Sequence, residues 1–223
     1  MNRGQHKTTR TEKMKRRRYQ QPQLPIPRYL TKNQRSEQLK KFVTDASTLI
    51  LEIGCGVGLH PLRYAMKNPD HRIVAVERTK EKFEKFFRRY VNHDCPKNLF
   101  PVHADAEAVF NHYVADASLD QIYFLYPNPE PKNPSRRWIR MPFFEFILKK
   151  IKNDGNIIFV TNDKRYYSEI LSVNAQEWKM SIVFEKEVSL NHCPDFQPRT
   201  HFEKKYLEAG QTIYEVCFVP GQQ

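Results

Sequence analysis

Residues 48–58, T-L-I-L-E-I-G-C-G-V-G, constrain this chain more than any other stretch. Leu49, Ile50, Leu51 and Ile53 make a short apolar run suited to a strand buried on both faces, and the run stops at Gly54, Gly56 and Gly58. Glycines there allow positive φ and leave bare backbone against which a flat or charged ligand can lie. A helix expected over about 59–67 would aim its N-terminus at the same loop. A dinucleotide loop reads G-x-G-x-x-G around a pyrophosphate, whereas this one reads E-x-G-x-G-x-G. An acid at Glu52 suits an ammonium-bearing ligand better than a string of phosphates.

Residues 72–77, R-I-V-A-V-E, read as a second buried strand ending in an acid nineteen positions after Gly58. A carboxylate at that strand end can accept both hydroxyls of a ribose, so Glu77 is expected to hold a sugar. The two motifs together resemble the cofactor half of the S-adenosylmethionine methyltransferases.

A chain of 223 residues with 39% hydrophobic content can build one full α/β core and little more. The division expected is a basic, disordered arm and linker over residues 1–27 and a methyltransferase domain over 28–220. The net charge is +12, and eight basic residues against Glu12 alone put about +7 of it before residue 20. That segment is too polar to fold by itself and suits a polyanion, RNA or DNA. It lacks the apolar face of a mitochondrial transit peptide, and no apolar run approaches a membrane span. Cys55, Cys95, Cys193 and Cys217 are scattered without metal-ligand spacing, so no metal is expected and reduced thiols in a cytoplasmic protein are the default.

Strand and helix patterns alternate along the chain. Residues 34–43 suit a short amphipathic helix after a proline-rich linker at 21–27, and 81–92 a helix whose Phe83, Phe86, Phe87 and Tyr90 face the core. Strands are expected at 99–103, 119–126 and 156–160, a helix over 141–152, and a turn at Asp154-Gly155. Asp105 can cap a helix or accept from an adenine amino group. Residues 127–134, P-N-P-E-P-K-N-P, cannot be helical because the prolines remove donors and fix φ. A stiff loop there, at the carboxyl edge of a parallel sheet, belongs where substrate meets cofactor. Arg136, Arg137 and Arg140, interleaved with Trp138, offer phosphate contacts and a stacking surface. Asn162 or Asp163 can cap the helix that begins near Lys164. Residues 179–189 and 211–219 suit an antiparallel hairpin at the sheet edge, and Thr200-His201-Phe202-Glu203 between them matches a capping box, with Gly210 ending its helix.

Over residues 48–219 the chain resembles the bacterial tRNA (guanine-N7)-methyltransferases, through L-E-I-G-C-G-V-G, A-V-E-R, A-D-A, Y-P-N-P-E-P-K with R-R-W, T-N-D and R-T-H-F-E. The resemblance implies the class I Rossmann-like α/β fold: a mostly parallel seven-stranded sheet with an antiparallel C-terminal hairpin and helices on both faces. It implies S-adenosyl-L-methionine as cofactor and tRNA as partner, with a monomer or homodimer both open. By it Glu52, Gly54, Gly56, Gly58, Glu77, Arg78, Asp105 and Ala106 would hold the cofactor. Asn128, Lys132, Arg136, Arg137, Asn162, Thr200 and Glu203 would hold the substrate, and Asn128, Glu130 and Asp163 would stand at the reacting atoms. The sequence departs from the family at two carboxylates, which are Asn128 and Asn162 here. Glu130, Asp163 and Glu203 are the acids that can restore the charge. An exocyclic-amine methyltransferase is the alternative that the loose likeness of Asn128-Pro129-Glu130-Pro131 to an Asn-Pro-x-x loop motivates, and a cofactor-retaining RNA-binding protein without turnover is the one that the two asparagines motivate.

Overall fold

The computed structural model describes residues 18–32, 34–193 and 195–221. The basic arm expected at the N-terminus lies outside the described residues up to position 17. Seven strands form one sheet in the order β3-β2-β1-β4-β5-β7-β6. β1 (Leu49–Ile53), β2 (Arg72–Glu77), β3 (Leu99–His103), β4 (Leu119–Leu125) and β5 (Ile151–Thr161) run parallel, while β7 (Ile213–Val219) is antiparallel to both β5 and the edge strand β6 (Ser181–Val188). Each of the five residues of β1 is buried, as a strand covered by helices on both faces requires.

Two apolar clusters flank the sheet. On one face Leu62 of α2 (Leu59–Lys67), Phe83 and Phe86 of α3 (Lys80–Val91) and Leu207 of α7 (His201–Glu208) pack on Ile50, Ile73 and Ala75. On the other, Leu39 and Val43 of α1 (Arg35–Thr44), Phe110 of α4 (Ala106–Tyr113), Phe144 of α5 (Phe143–Lys150) and Ile170 of α6 (Lys164–Val173) cover Leu51, Val74 and Phe124. Of the aromatic stripe of α3, Phe83 and Phe86 are core, and Phe87 and Tyr90 pack half-buried against it. The C-terminal pair is antiparallel and lies at the sheet edge, also as expected.

Two local expectations are corrected. The helix expected over 141–152 is shorter, α5 alone, because Ile151 already pairs with Leu119 as the start of β5. Asp154-Gly155 is no chain reversal but part of an irregularity inside β5: the register jumps from Leu119↔Ile151 to Gln121↔Asn156. Gly155 permits it, since a Cβ there would sit 2.5 Å from Ile151 Cγ1 and 2.9 Å from the Leu119 carbonyl oxygen.

Residues 18–27, expected as part of a disordered arm and linker, have no regular secondary structure but lie against α4 and α5. Tyr19 packs on Phe143 and Phe146 at ring separations of 5.2 and 5.1 Å, and the Leu24 carbonyl lies 2.7 Å from His112 Nε2. No helix among the described residues is long and apolar enough to cross a membrane.

Candidate functional site

Five parallel strands end on one edge of the sheet: Glu52, Glu77, Asp105 and Asn162 stand at or just past the ends of β1, β2, β3 and β5, and the proline loop with Asn128 and Glu130 leaves the end of β4. The strand order reverses between β1 and β4, which makes the crevice above them the natural ligand position of an open α/β sheet. The glycine loop fills its floor. Gly54 and Gly56 have φ of +72° and +60°, and a Cβ on either would meet nothing within 4 Å: both present bare peptide to open space. Gly58, at +73°, has the opposite reason to be glycine. Its Cβ would fall 1.9 Å from Phe86 Cδ2, so that glycine lets α3 close onto the loop.

Two buried carboxylates flank this cradle. Glu77 is 5% exposed and accepts the Gly56 amide at 2.9 Å through Oε2 and the Thr79 amide at 2.7 Å through Oε1, fastening the end of β2 to the glycine loop. Glu52 is 1% exposed, with His60 Nδ1 2.8 Å from its Oε2. His60 stands on α2 against the Tyr123 ring. Sequence reasoning passed over His60, because a lone histidine in a helix carries no signal until its partner is known. The Cys55 thiol between these acids is held well above the ordinary thiol range by burial, then by Glu52 and Glu77. At the end of β3, Asp105 caps α4, accepting the Glu107 amide at 3.0 Å through Oδ1, while Oδ2 stands 3.7 Å from Arg78 Nη1. Ala106, buried, begins the helix.

The residues present fit S-adenosyl-L-methionine, the cofactor the fold class implies. Open glycine peptide, acids at the ends of β1 and β2, and a third acid at β3 match an ammonium, a ribose diol and an adenine amino group. Among the described residues no group of three or more histidine, cysteine or acidic side chains is placed to hold a metal ion.

The opposite wall is the proline loop. Tyr126 leaves β4 with φ +52° and Glu130 has φ +43°, so the loop turns sharply twice. Asn128 Nδ2 donates to Glu130 Oε1, and the Glu130 amide donates to Asn128 Oδ1, each at 3.1 Å. The asparagine and the neighbouring acid therefore form one hydrogen-bonded unit, with Asn128 exposed and Glu130 half-buried. Arg137 turns inward, donating to the Pro129 carbonyl and pairing with Glu169 of α6; Arg140 pairs with the same acid. Trp138 packs on Phe124 and Phe143. Lys132 and Arg136 stay exposed. Across the mouth, Asn162 donates to Gln211 at 2.8 Å, and Asp163 caps α6 through the Arg165 and Tyr166 amides.

The capping box at α7 forms on its threonine side, Thr200 Oγ1 accepting the Glu203 amide at 3.0 Å. Glu203 is fully buried and accepts the Arg199 amide, the Arg199 guanidinium and the Tyr126 hydroxyl. Arg199 also grips Glu215 of β7 at 2.9 and 3.0 Å. Burial alone would lower the Arg199 pKa, but the hydrogen bonds to Glu203 and Glu215 outweigh it and hold the guanidinium firmly charged. Burial, followed by the Glu203 charge, raises the Tyr126 hydroxyl far above its ordinary range.

A family model described as "Putative methyltransferase" matches residues 46–216. The chain belongs to this methyltransferase family. Among its relatives, a tRNA (guanine-N(7)-)-methyltransferase of Methylobacillus flagellatus is 26% identical over 179 residues, covering 79% of this chain and 74% of the relative. One of the same description from Nitrosomonas eutropha is 28% identical, covering 76% and 75%. Of solved structures, the 16S rRNA methyltransferase KamB superposes with a TM-score of 0.61 at 12% identity, over 85% of this chain and 94% of that one. A SAM-dependent methyltransferase from Aquifex aeolicus superposes with 0.54 at 14% identity, over 83% and 88%. The likeness to these structures shows the fold, that of class I methyltransferases.

Proposed function

We propose that this chain is a tRNA (guanine-N7)-methyltransferase that uses S-adenosyl-L-methionine to form 7-methylguanosine. The observation that carries the reading is the agreement of description among relatives aligned over about three quarters of both chains. It is supported by the placement of the glycine cradle and the proline loop on one sheet edge.

When bound, the cofactor would supply a methyl group from a sulfonium sulfur, leaving a neutral thioether as guanine N7 takes the methyl and the positive charge. Guanine N7 is an acceptor with a free lone pair, so no side chain has to remove a proton. The chain's work is placement and electrostatics. Glu52 takes the ammonium, with His60 holding the carboxylate in place, while Glu77 takes the ribose hydroxyls and Asp105 the adenine amino group. Gly54, Gly56 and Gly58 shape the floor, and Arg78 and Ala106 close its β3 side.

On the substrate side, the Asn128–Glu130 unit and Asn162 accept from the guanine edge, and Asp163 supplies negative charge to the cation that forms. Thr200 and Glu203 set the wall that faces the base, Glu203 acting through its hold on Tyr126 and Arg199. Lys132 and Arg136 contact phosphates, and Arg137 braces the loop that carries them. The basic segment at residues 1–18 adds sequence-independent attraction for tRNA, and the protein works in the cytoplasm.

Incubation with methyl-labelled cofactor and unmodified tRNA, followed by nucleoside analysis, tests the reading. The expected product is 7-methylguanosine. N2-methylguanosine or N6-methyladenosine would transfer the chain to the amine methyltransferases. Cofactor binding without transfer would make it a binding protein.

A further inference from the structure

Basic side chains converge where α2, α3 and α7 meet, beside the wall formed by Thr200 and Glu203. Arg89 Nη2 lies 3.1 Å from His201 Nε2, and Arg63 Nη1 donates to the Pro198 carbonyl at 2.8 Å. The other terminal nitrogen of Arg89, Nη1, is screened from water and has no partner among the described residues. An arginine is only ever a donor, so His201 Nε2 must accept and the ring proton sits on Nδ1.

Among the described residues neither Arg63 nor Arg89 forms an ion pair, and Lys204 meets Glu208 only at 3.7 Å. The field is of one sign. The pKa of His201 is lowered by burial, then by Arg89, Arg63 and Lys204, and that of Arg89 by burial and then by Arg63. His201 also opens α7, whose first amides add partial positive charge. Cations gathered without a counter-ion repel one another, and a phosphate relieves that repulsion while offering acceptors to a guanidinium fork.

We propose that Arg63, Arg89 and His201 form a subsite for one phosphodiester of the RNA, next to the nucleotide being methylated. The assignment rests on the reading of the chain as a tRNA methyltransferase. Arg89 and Arg63 supply the charge, and His201 supplies a donor at the start of α7. Holding a backbone phosphate there fixes the register of the strand while leaving the base to the pocket.

The test is tRNA binding by the full chain, its Arg89→Gln variant and its Arg63→Gln variant across a salt series, with S-adenosylhomocysteine affinity measured in parallel. Each variant is expected to bind tRNA about five- to tenfold more weakly at low salt, with the log–log salt slope flattened by about 0.9 for one lost phosphate contact. Cofactor affinity stays unchanged. In the parent, the His201 pKa followed by NMR is expected to rise when tRNA is added, which a purely structural histidine would not show. Arg63 is exposed, so its variant carries the test even if Arg89→Gln fails to fold. Parental slopes in both variants, while the parent binds and methylates tRNA, overturn the subsite alone. So does lost cofactor affinity with intact RNA binding, or a His201 response to inorganic phosphate with none to tRNA. A parent that binds no tRNA removes both the subsite and the reading beneath it.

Discussion

The Tyr126 hydroxyl donates to Glu203 Oε1 at 3.0 Å, tying the end of the fourth strand to the first turn of the last helix. Those two positions are 77 residues apart in the chain, and the bond holds the proline loop against the T-x-F-E segment. Tyr126→Phe removes the donor without opening a cavity, and leaves Glu203 on Arg199 alone. The expected cost is about 1–2 kcal/mol in denaturant unfolding. Methyl transfer to tRNA should fall about tenfold or more while S-adenosylhomocysteine affinity stays near parental. Equal loss of both would place Tyr126 in the cofactor half instead.

Gly56 and Gly58 should separate binding from folding. A Cβ at Gly58 collides with Phe86 in a left-handed conformation, so Gly58→Ala is expected to cost about 2–4 kcal/mol and to lower Tm sharply. A Cβ at Gly56 has open space, so only the backbone penalty of about 1–2 kcal/mol applies. That methyl group enters the volume assigned to the cofactor. Calorimetry should therefore show Gly56→Ala losing more cofactor affinity than its modest stability loss explains.

The parts legible in the sequence were those set by local pattern. The β1 run, the three positive-φ glycines and the helix caps at Asp105, Asp163 and Thr200 announce themselves through periodicity or spacing, and the buried strand, the loop and the caps form there. The β5 irregularity was not legible, because Leu119↔Ile151 pairing is a long-range contact and Asp-Gly alone reads as a turn. Side-chain direction was hidden too. Arg136 and Arg137 look alike in sequence, yet one is exposed and the other is drawn in by Glu169, 32 positions later. His60, Arg199 and the Arg89–His201 pair each depend on a partner from another element, which no spacing encodes.

Thiol chemistry should follow burial. Cys95 is exposed, whereas Cys55 and Cys217 are buried. Burial, with Glu215 adding to it, pushes the Cys217 thiol up to about 11, and burial with its two neighbouring acids raises the Cys55 thiol well above the ordinary range. The attacking species is the thiolate, so at pH 8 Cys95 should alkylate first and Cys55 and Cys217 should resist until the chain unfolds. Mass mapping after a timed iodoacetamide pulse checks the order. Rapid labelling of Cys55 in the native chain would mean that the glycine loop opens.

Arg136 and Arg137 are neighbours with separable jobs. Arg137 joins the Pro129 carbonyl to Glu169, both partners are largely shielded, and its guanidinium lies over the Tyr166 ring at 5.4 Å. Arg137→Gln leaves Glu169 with Arg140 alone and frees the loop at Pro129. Truncating one member of a shielded pair strands the other, which sets an expected loss of about 2–4 kcal/mol in unfolding experiments. Arg136 makes no ion pair among the described residues and is exposed, so Arg136→Gln should leave Tm within about a degree of parental. It should instead flatten the salt dependence of tRNA binding by the amount expected for one phosphate contact. The opposite pattern, a destabilised Arg136 variant beside an Arg137 variant with normal stability and a flattened slope, would require the proline loop to present its arginines the other way round.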